Sequence, residues 1–190
     1  VNVDADPGND RLPYDARWVS TDKDKSFATG INFSKMTSWG LAHTIEFDLS
    51  DAIQLKSITG YRDLAWRSGI DLDNSPLQML ENSFSLKQWQ VSQEVQLIGQ
   101  ALDKRLNYVL GGYYFKEKGN MEDYVILGEG LLQIGAPNDL ATTNYAFFGQ
   151  VDWRLSDLIG FTAGARYTHE SKRFTGGIYD LNGFNYKLFN

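Results

Sequence analysis

The chain has 190 residues, no cysteine and a formal net charge of −6. The charge argues against a general nucleic-acid binder, which needs a basic face to neutralise phosphate. The missing thiols exclude a disulfide framework and a thiolate metal site. The longest run without a formal charge, Leu140–Val151, is far short of the roughly 20 residues that a membrane helix needs. Aromatic residues make up 14 % of the chain and there are only four prolines. Tyr, Phe, Trp and Thr favour pleated strands, so this composition points to an all-β protein. The start at Val1, with no basic segment followed by an apolar run, implies a mature or truncated chain.

In chain order, residues 1–35 read as a loop or partial strand region that includes an acidic run, Asp4, Asp6 and Asp10, broken by Pro7-Gly8. Residues 36–172 read as three β-hairpins, because period-two alternation recurs there and no helical period does. In the first, Leu41, Ile45, Phe47 and Leu49 alternate with Ala42, Thr44, Glu46 and Asp48. A turn at Ser50-Asp51 follows, and Ile53–Arg62 returns. In the second, Trp89, Val91, Val95 and Leu97 alternate with Gln90, Ser92, Glu94 and Gln96, with a turn at Gln100–Lys104 before Leu106–Phe115. Gln93 falls on the apolar side of this hairpin, and Ser57 and Thr59 dilute the apolar side of the first. The third is the cleanest. Tyr145, Phe147, Gly149, Val151, Trp153 and Leu155 oppose Asn144, Ala146, Phe148, Gln150, Asp152 and Arg154. After Ser156-Asp157, Ile159, Phe161, Ala163, Ala165 and Tyr167 oppose Gly160, Thr162, Gly164, Arg166 and Thr168. Residues 173–190 read as a loop or truncated strand rich in rings and glycine: Phe174, Gly176, Gly177, Tyr179, Phe184, Tyr186 and Phe189.

The connections are lopsided. Three turns are short, whereas Arg67–Phe84 and Gly119–Thr142, carrying Asp71, Asp73, Asn74, Pro76, Gly128, Gly130, Pro137 and Asn138, read as long loops. All the short turns then lie at one end of the sheet, as in transmembrane barrels with short periplasmic turns and long extracellular loops. Tyr145 and Trp153 lie eight residues apart on one face, about 26 Å along a strand. A tilt of about 40° reduces this to roughly 20 Å, near the ~25 Å apolar band of such barrels. The expected fold is therefore an antiparallel up-and-down meander of about six strands, an open fragment of a transmembrane β-barrel wall. The other reading of the same alternation is a soluble all-β ligand-binding module of carbohydrate type, with the apolar stripe buried between layers.

The wording of the strands resembles the TonB-dependent outer-membrane receptor family. The matching pieces are LKSITGYR (Leu55–Arg62), SQEVQL (Ser92–Leu97), LNYVLGGYYF (Leu106–Phe115), YAFFGQV (Tyr145–Val151) and FTAGARYT (Phe161–Thr168). They span roughly Trp39–Lys172 in the order typical of the middle of such a barrel. The resemblance implies a segment of a receptor for energy-coupled uptake of a scarce solute such as an iron-siderophore, in the bacterial outer membrane. It implies a barrel of about 22 strands, a plug domain inside it, and an inner-membrane TonB complex that supplies energy. The expected partners are therefore outer-membrane lipid, that plug, the remaining barrel strands, the TonB complex and a small solute, with no nucleic acid. On this reading Tyr145, Phe147, Val151, Trp153, Phe161, Ala163 and Tyr167 face lipid, and residues 1–35 are extracellular. Lys56, Arg62, Glu94, Gln150 and Arg166 face the lumen.

No enzyme is expected, since no Gly-x-Ser-x-Gly elbow, His-Glu-x-x-His pair or phosphate loop occurs. No cofactor is expected either. His43 and His169 have no second nitrogen ligand at hairpin spacing, so neither is expected to hold a metal. Asp71 and Asp73 lack the ligand spacing of a calcium loop and read as solvated loop charge. Glu94 with Arg166, or Asp152 with Arg154, read as ordinary mixed charge of a lumen.

Overall fold

In the computed structural model, residues 18, 20–30 and 32–182 are described. The acidic run at Asp4, Asp6 and Asp10 and the rings of Phe184, Tyr186 and Phe189 lie outside them. Six long strands follow one another as a meander: β1 (Phe33–Ser50), β2 (Ile53–Asp71), β3 (Leu80–Ala101), β4 (Leu106–Leu127), β5 (Leu132–Arg154) and β6 (Gly160–Gly176). Each pairs antiparallel with its sequence neighbours, so the sheet order is the chain order. Substantial contacts run only between hydrogen-bonded neighbours. The sheet is a single, unclosed layer, with β1 and β6 at its edges.

A short strand, β7 (Tyr179–Asp180), pairs with β5 at Gly135 and Ile134. Its register is that of β6 carried onward: Asn138 pairs with Gly176, and Ile134 with Asp180. The break between them has a local cause. Gly177 N–H donates to the Pro137 carbonyl at 3.4 Å, so Pro137 faces β6 on this rung and has no N–H to return the bond.

The short turns fall where expected, at Asp51-Ala52, residues 102–105 and residues 155–159. Leu102, Asp103 and Lys104 all have positive φ, near 54°, 54° and 67°, a left-handed run built without glycine. The opposite end departs from expectation. The stretches read as long loops are mostly strand: β2 and β3 are joined by residues 72–79, and β4 and β5 by residues 128–131 alone. Gly128 and Gly130, at φ of 58° and 84°, supply the left-handed positions of that tight turn. Pro137 and Asn138, taken as loop chemistry, lie inside β5. These upper strand segments mix polar and apolar residues on both faces and so carry no period-two signal, although their backbone pairing is continuous.

Among the described residues the only buried hydrophobic side chain is Ala146. A sandwich buries the facing sides of two sheets; no second layer covers this sheet among the described residues. Twenty-three residues of β5 extend about 75 Å at ~3.3 Å per residue, well beyond what a bilayer core requires.

Candidate functional site

Directly paired residues in an antiparallel sheet point to the same side, so the registers carry one face across all six strands. Starting from Tyr145, Phe147, Val151 and Trp153 on β5, the partners are Tyr114, Gly112, Tyr108 and Leu106 on β4. On β6 they are His169, Tyr167, Ala163 and Phe161. The same side takes in Trp89, Val91, Val95 and Leu97 on β3, Leu55 and Tyr61 on β2, and Trp39, Leu41, Ile45 and Phe47 on β1. All seven residues expected to face lipid share this face. All five expected to face the lumen, Lys56, Arg62, Glu94, Gln150 and Arg166, share the other.

The apolar face is the outwardly splayed one. Along β4 its residues Leu110, Tyr114, Lys118, Asn120, Glu122 and Tyr124 are exposed, whereas on the opposite face only Asn107 is. On β5, Ala146 and Thr142 of the polar face are buried, while Tyr145 and Phe147 beside them are exposed. Crowding on one side and splaying on the other describe a sheet curved toward its polar face.

The apolar character is confined to a band. On β4 it ends at Tyr114, beyond which Lys116, Lys118, Asn120 and Glu122 occupy the same face. On β1 it runs from Trp39 to Phe47. Trp39 shares a cross-strand row with Arg173, and Phe47 with Ala165, through the intervening pairs. On β6, however, the band runs from His169 down to Phe161. Both edges thus drift four residues toward the short turns in crossing five strand-to-strand steps. At ~3.3 Å per residue and ~4.8 Å per strand, this inclines the band by about 30° to the hydrogen-bond rows, close to the ~35–45° tilt of barrel strands. Rings mark its edges: Trp39 and Tyr61, with centroids 5.1 Å apart, and Tyr145 stacked on His169 at 5.0 Å.

Gln93, the polar residue on the apolar side, is satisfied locally. Its Oε1 accepts from Thr59 Oγ1 at 2.5 Å, and its Nε2 donates to Ser57 Oγ at 2.9 Å. Three of the polar side chains that interrupt the band therefore bond to one another, which is what an apolar environment demands of them; His43 on β1, paired with Thr59, is a fourth.

On the concave face Lys56 Nζ meets Glu46 Oε1 at 2.8 Å across the β1–β2 pair. Asp152 accepts from Gln150 Nε2 at 3.1 Å and from Thr162 Oγ1 at 2.6 Å. Glu94 accepts from Gln96. Arg166 lies over the rings of Phe148 and Tyr113, 5.5 and 5.8 Å from their centroids, and its Nε donates to Thr168 Oγ1 at 3.1 Å. Glu94, on β3, and Arg166, on β6, are not brought together. The aromatic cradle of Arg166 is absent from the residues singled out by sequence. Its signal was two rings, Tyr113 and Phe148, on the face that also carries Arg166.

Asp71 and Asp73 correct an expectation. Rather than solvated charges, they are the acceptors that order the long-loop end. Asp71 is 3 % exposed, and its carboxylate accepts from the backbone N–H of Thr29, Gly30, Asp73 and Asn74. Asp73 accepts from the N–H groups of Ser75, Met79 and Leu80 and from the Ser75 hydroxyl. Burial pushes the Asp73 carboxyl up, but the bonds from Ser75, Leu80 and Met79 outweigh it and hold it below the usual carboxylate value. Among the described residues no cluster of His, Asp or Glu could hold a metal ion. His43 on β1 and His169 on β6 are far apart in the sheet.

Comparison with known proteins agrees with this geometry. Residues 1–189 match the family model described as TonB dependent receptor-like, beta-barrel. No curated protein matches the chain. Among solved structures, the ferric yersiniabactin uptake receptor FyuA from Yersinia pestis aligns with a TM-score of 0.68 at 12 % identity, over 80 % of this chain and 23 % of that one. The siderophore receptor PiuA from Acinetobacter baumannii aligns at 13 % identity over 77 % of this chain and 30 % of that one, with a TM-score of 0.41, too loose a likeness to bear on the fold. The chain thus spans less than a third of the length of each of these receptors. Six antiparallel strands in an open, curved layer are a slice of barrel wall, and the chain belongs to the TonB-dependent receptor-like β-barrel family.

Proposed function

We propose that this chain is a wall segment of an outer-membrane receptor that takes up a scarce solute by energy coupling, an iron-siderophore being the favoured cargo. The observation that carries the reading is the band: an apolar, ring-edged stripe of bilayer height on the convex face of a single-layered sheet, backed by a polar concave face. A water-filled or plugged lumen needs mixed charge and hydrogen-bonding groups, and lipid needs the opposite. Tyr145, Phe147, Val151, Trp153, Phe161, Ala163 and Tyr167 face hydrocarbon. Lys56, Arg62, Glu94, Gln150 and Arg166 face the plug and lumen water. The remaining strands close the barrel from the free edges of β1 and β6, and coupling to the inner-membrane TonB complex runs through the plug. The choice of an iron chelate over other solutes takes its support from the structural neighbour, itself a ferric yersiniabactin uptake receptor.

The test uses the whole receptor in its host. Deleting its gene should abolish uptake of a labelled ferric siderophore from a panel under iron limitation, and the intact receptor should fractionate with the outer membrane. Uptake of every panel member unaffected by the deletion would remove the iron-chelate assignment. A receptor found in the soluble fraction would remove the membrane reading itself.

A further inference from the structure

β6 pairs with β5 at every residue from Gly160 to Gly176, whereas beyond Gly176 the same lane is held at few points. The Pro137 rung carries one long bond, from Gly177 N–H at 3.4 Å, and proline has no N–H to return. Gly176 admits no side chain, because a Cβ there would run into Asn138 Oδ1. That oxygen is fixed in place by the bond from Asn138 Nδ2 to the Ala136 carbonyl at 3.0 Å. Two successive glycines, the freest backbone joints available, therefore sit at the break. Past them only Tyr179 and Asp180 pair with β5. Ile178, Tyr179 and Leu181 are all exposed, so little apolar burial holds residues 177–182 down.

What closes this segment is Asn182. Its Nδ2 donates to the carbonyls of Gly130 and Leu131, each at 3.0 Å, and its Oδ1 accepts from Gln133 N–H at 3.2 Å. Its own N–H donates to Asp180 Oδ1 at 2.9 Å, which fixes its direction. Leu181 N–H completes the set by donating to the Gln133 carbonyl at 2.9 Å. Gly130 and Leu131 belong to the β4–β5 turn, and that turn is gripped on its other side too. Gly128 and Glu129 N–H donate to the carbonyls of Met79 and Gln78 at 3.0 and 2.6 Å. The turn is thus tied through its N–H groups to residues 72–79 and through its carbonyls to Asn182.

We propose that residues 177–182 form a hinged strap, which swings about Gly176-Gly177 while β6 stays paired, and which latches the β4–β5 turn through Asn182 when closed. Opening leaves backbone groups of Gln133 and Gly135 unpaired on that edge of β5. It also frees one side of the turn, so the hold of residues 72–79 on the other side loosens with it. The strap is a two-state element that couples the connection after β6 to the one between β2 and β3.

Amide exchange of the intact receptor, resolved to single residues, tests the strap. Leu181 and Gln133 should exchange through an opening that leaves the amides of Phe161–Thr175 protected. Asn182→Ala should speed exchange at Leu181 and Gln133 by roughly tenfold or more. It should also speed Gly128 and Glu129, across the turn, without altering Phe161–Thr175. Pro137→Ala, which supplies the missing N–H, should slow Leu181 by roughly fivefold. Exchange of Leu181 in step with Phe161–Thr175, no response at Gly128 and Glu129, or an unchanged Leu181 rate in either variant would each overturn the proposal.

Discussion

The lower and upper parts of β4 are the same strand in the same ladder, yet they present different surfaces. From Leu106 to Tyr114 the convex side is apolar, with Tyr108 and Leu110 between; from Lys116 to Glu122 it is charged or polar. Backbone pairing does not change at the boundary, since β4 is bonded to β3 and β5 along its whole length. Secondary structure therefore does not mark where the apolar band ends. Side-chain chemistry does, because only the lower part is apolar on one face.

The largest way to break this comparison is to place a charge in the lower part. Leu110→Arg, at the middle of the band, should cost about 2–4 kcal/mol in lipid refolding titrations of the whole receptor, the range for arginine at the midplane. Asn120→Arg, on the same face higher up, should stay within about 0.5 kcal/mol. Equal costs at the two sites would erase the distinction.

A second test compares the faces rather than the levels. A Cβ on Gly111 would lie 2.2 Å from Phe148 Cζ on the concave side, whereas on Gly112 it would meet Phe147 at an ordinary 3.7 Å on the convex side. Gly111→Ala should therefore cost about 1–3 kcal/mol through displacement of the Phe148 ring and disturb the cradle of Arg166. Gly112→Ala should be close to neutral by the same titration.

The upper end is held by acceptors, not by rings. Asp73→Asn leaves one oxygen to serve donors that two now serve, and should loosen residues 72–79 locally by about 1 kcal/mol. The wild-type carboxyl has a depressed folded value, so its contribution is complete above the unfolded value near 3.8 and disappears as pH falls through the folded one. Amide-exchange protection of Met79 and Leu80 should drop on acidification in the wild type, and the substitution should remove that pH dependence. The smallest effect belongs to the half-exposed Lys56–Glu46 pair. Lys56→Gln should change stability by less than about 1 kcal/mol, less still in high salt.

This division also explains what could be read in the sequence. Alternation was legible from Asn144 to Leu155 because one side is apolar and the other mostly polar, and parity alone put all seven band residues on one face. Above Tyr114 both sides mix polar and apolar residues, so the continuation of β4 and β5 through Glu122 and Pro137 left no periodic trace, and long hairpins read as long loops. Asp71 and Asp73 looked solvated because nothing local reveals that Thr29 and Gly30 donate to Asp71 from about forty residues away. The Arg166 cradle joins residues from three strands, β4, β5 and β6, and becomes visible only once register is known.

A nitroxide scan of β4 from Leu106 to Leu127 in the reconstituted receptor tests the central claim most directly. Oxygen accessibility should peak at even-numbered positions from Leu106 to Tyr114, stay low at the odd ones, and give way to aqueous accessibility from Lys116 onward. Peaks at odd positions, or an even-numbered pattern persisting to Ile126, would contradict the account.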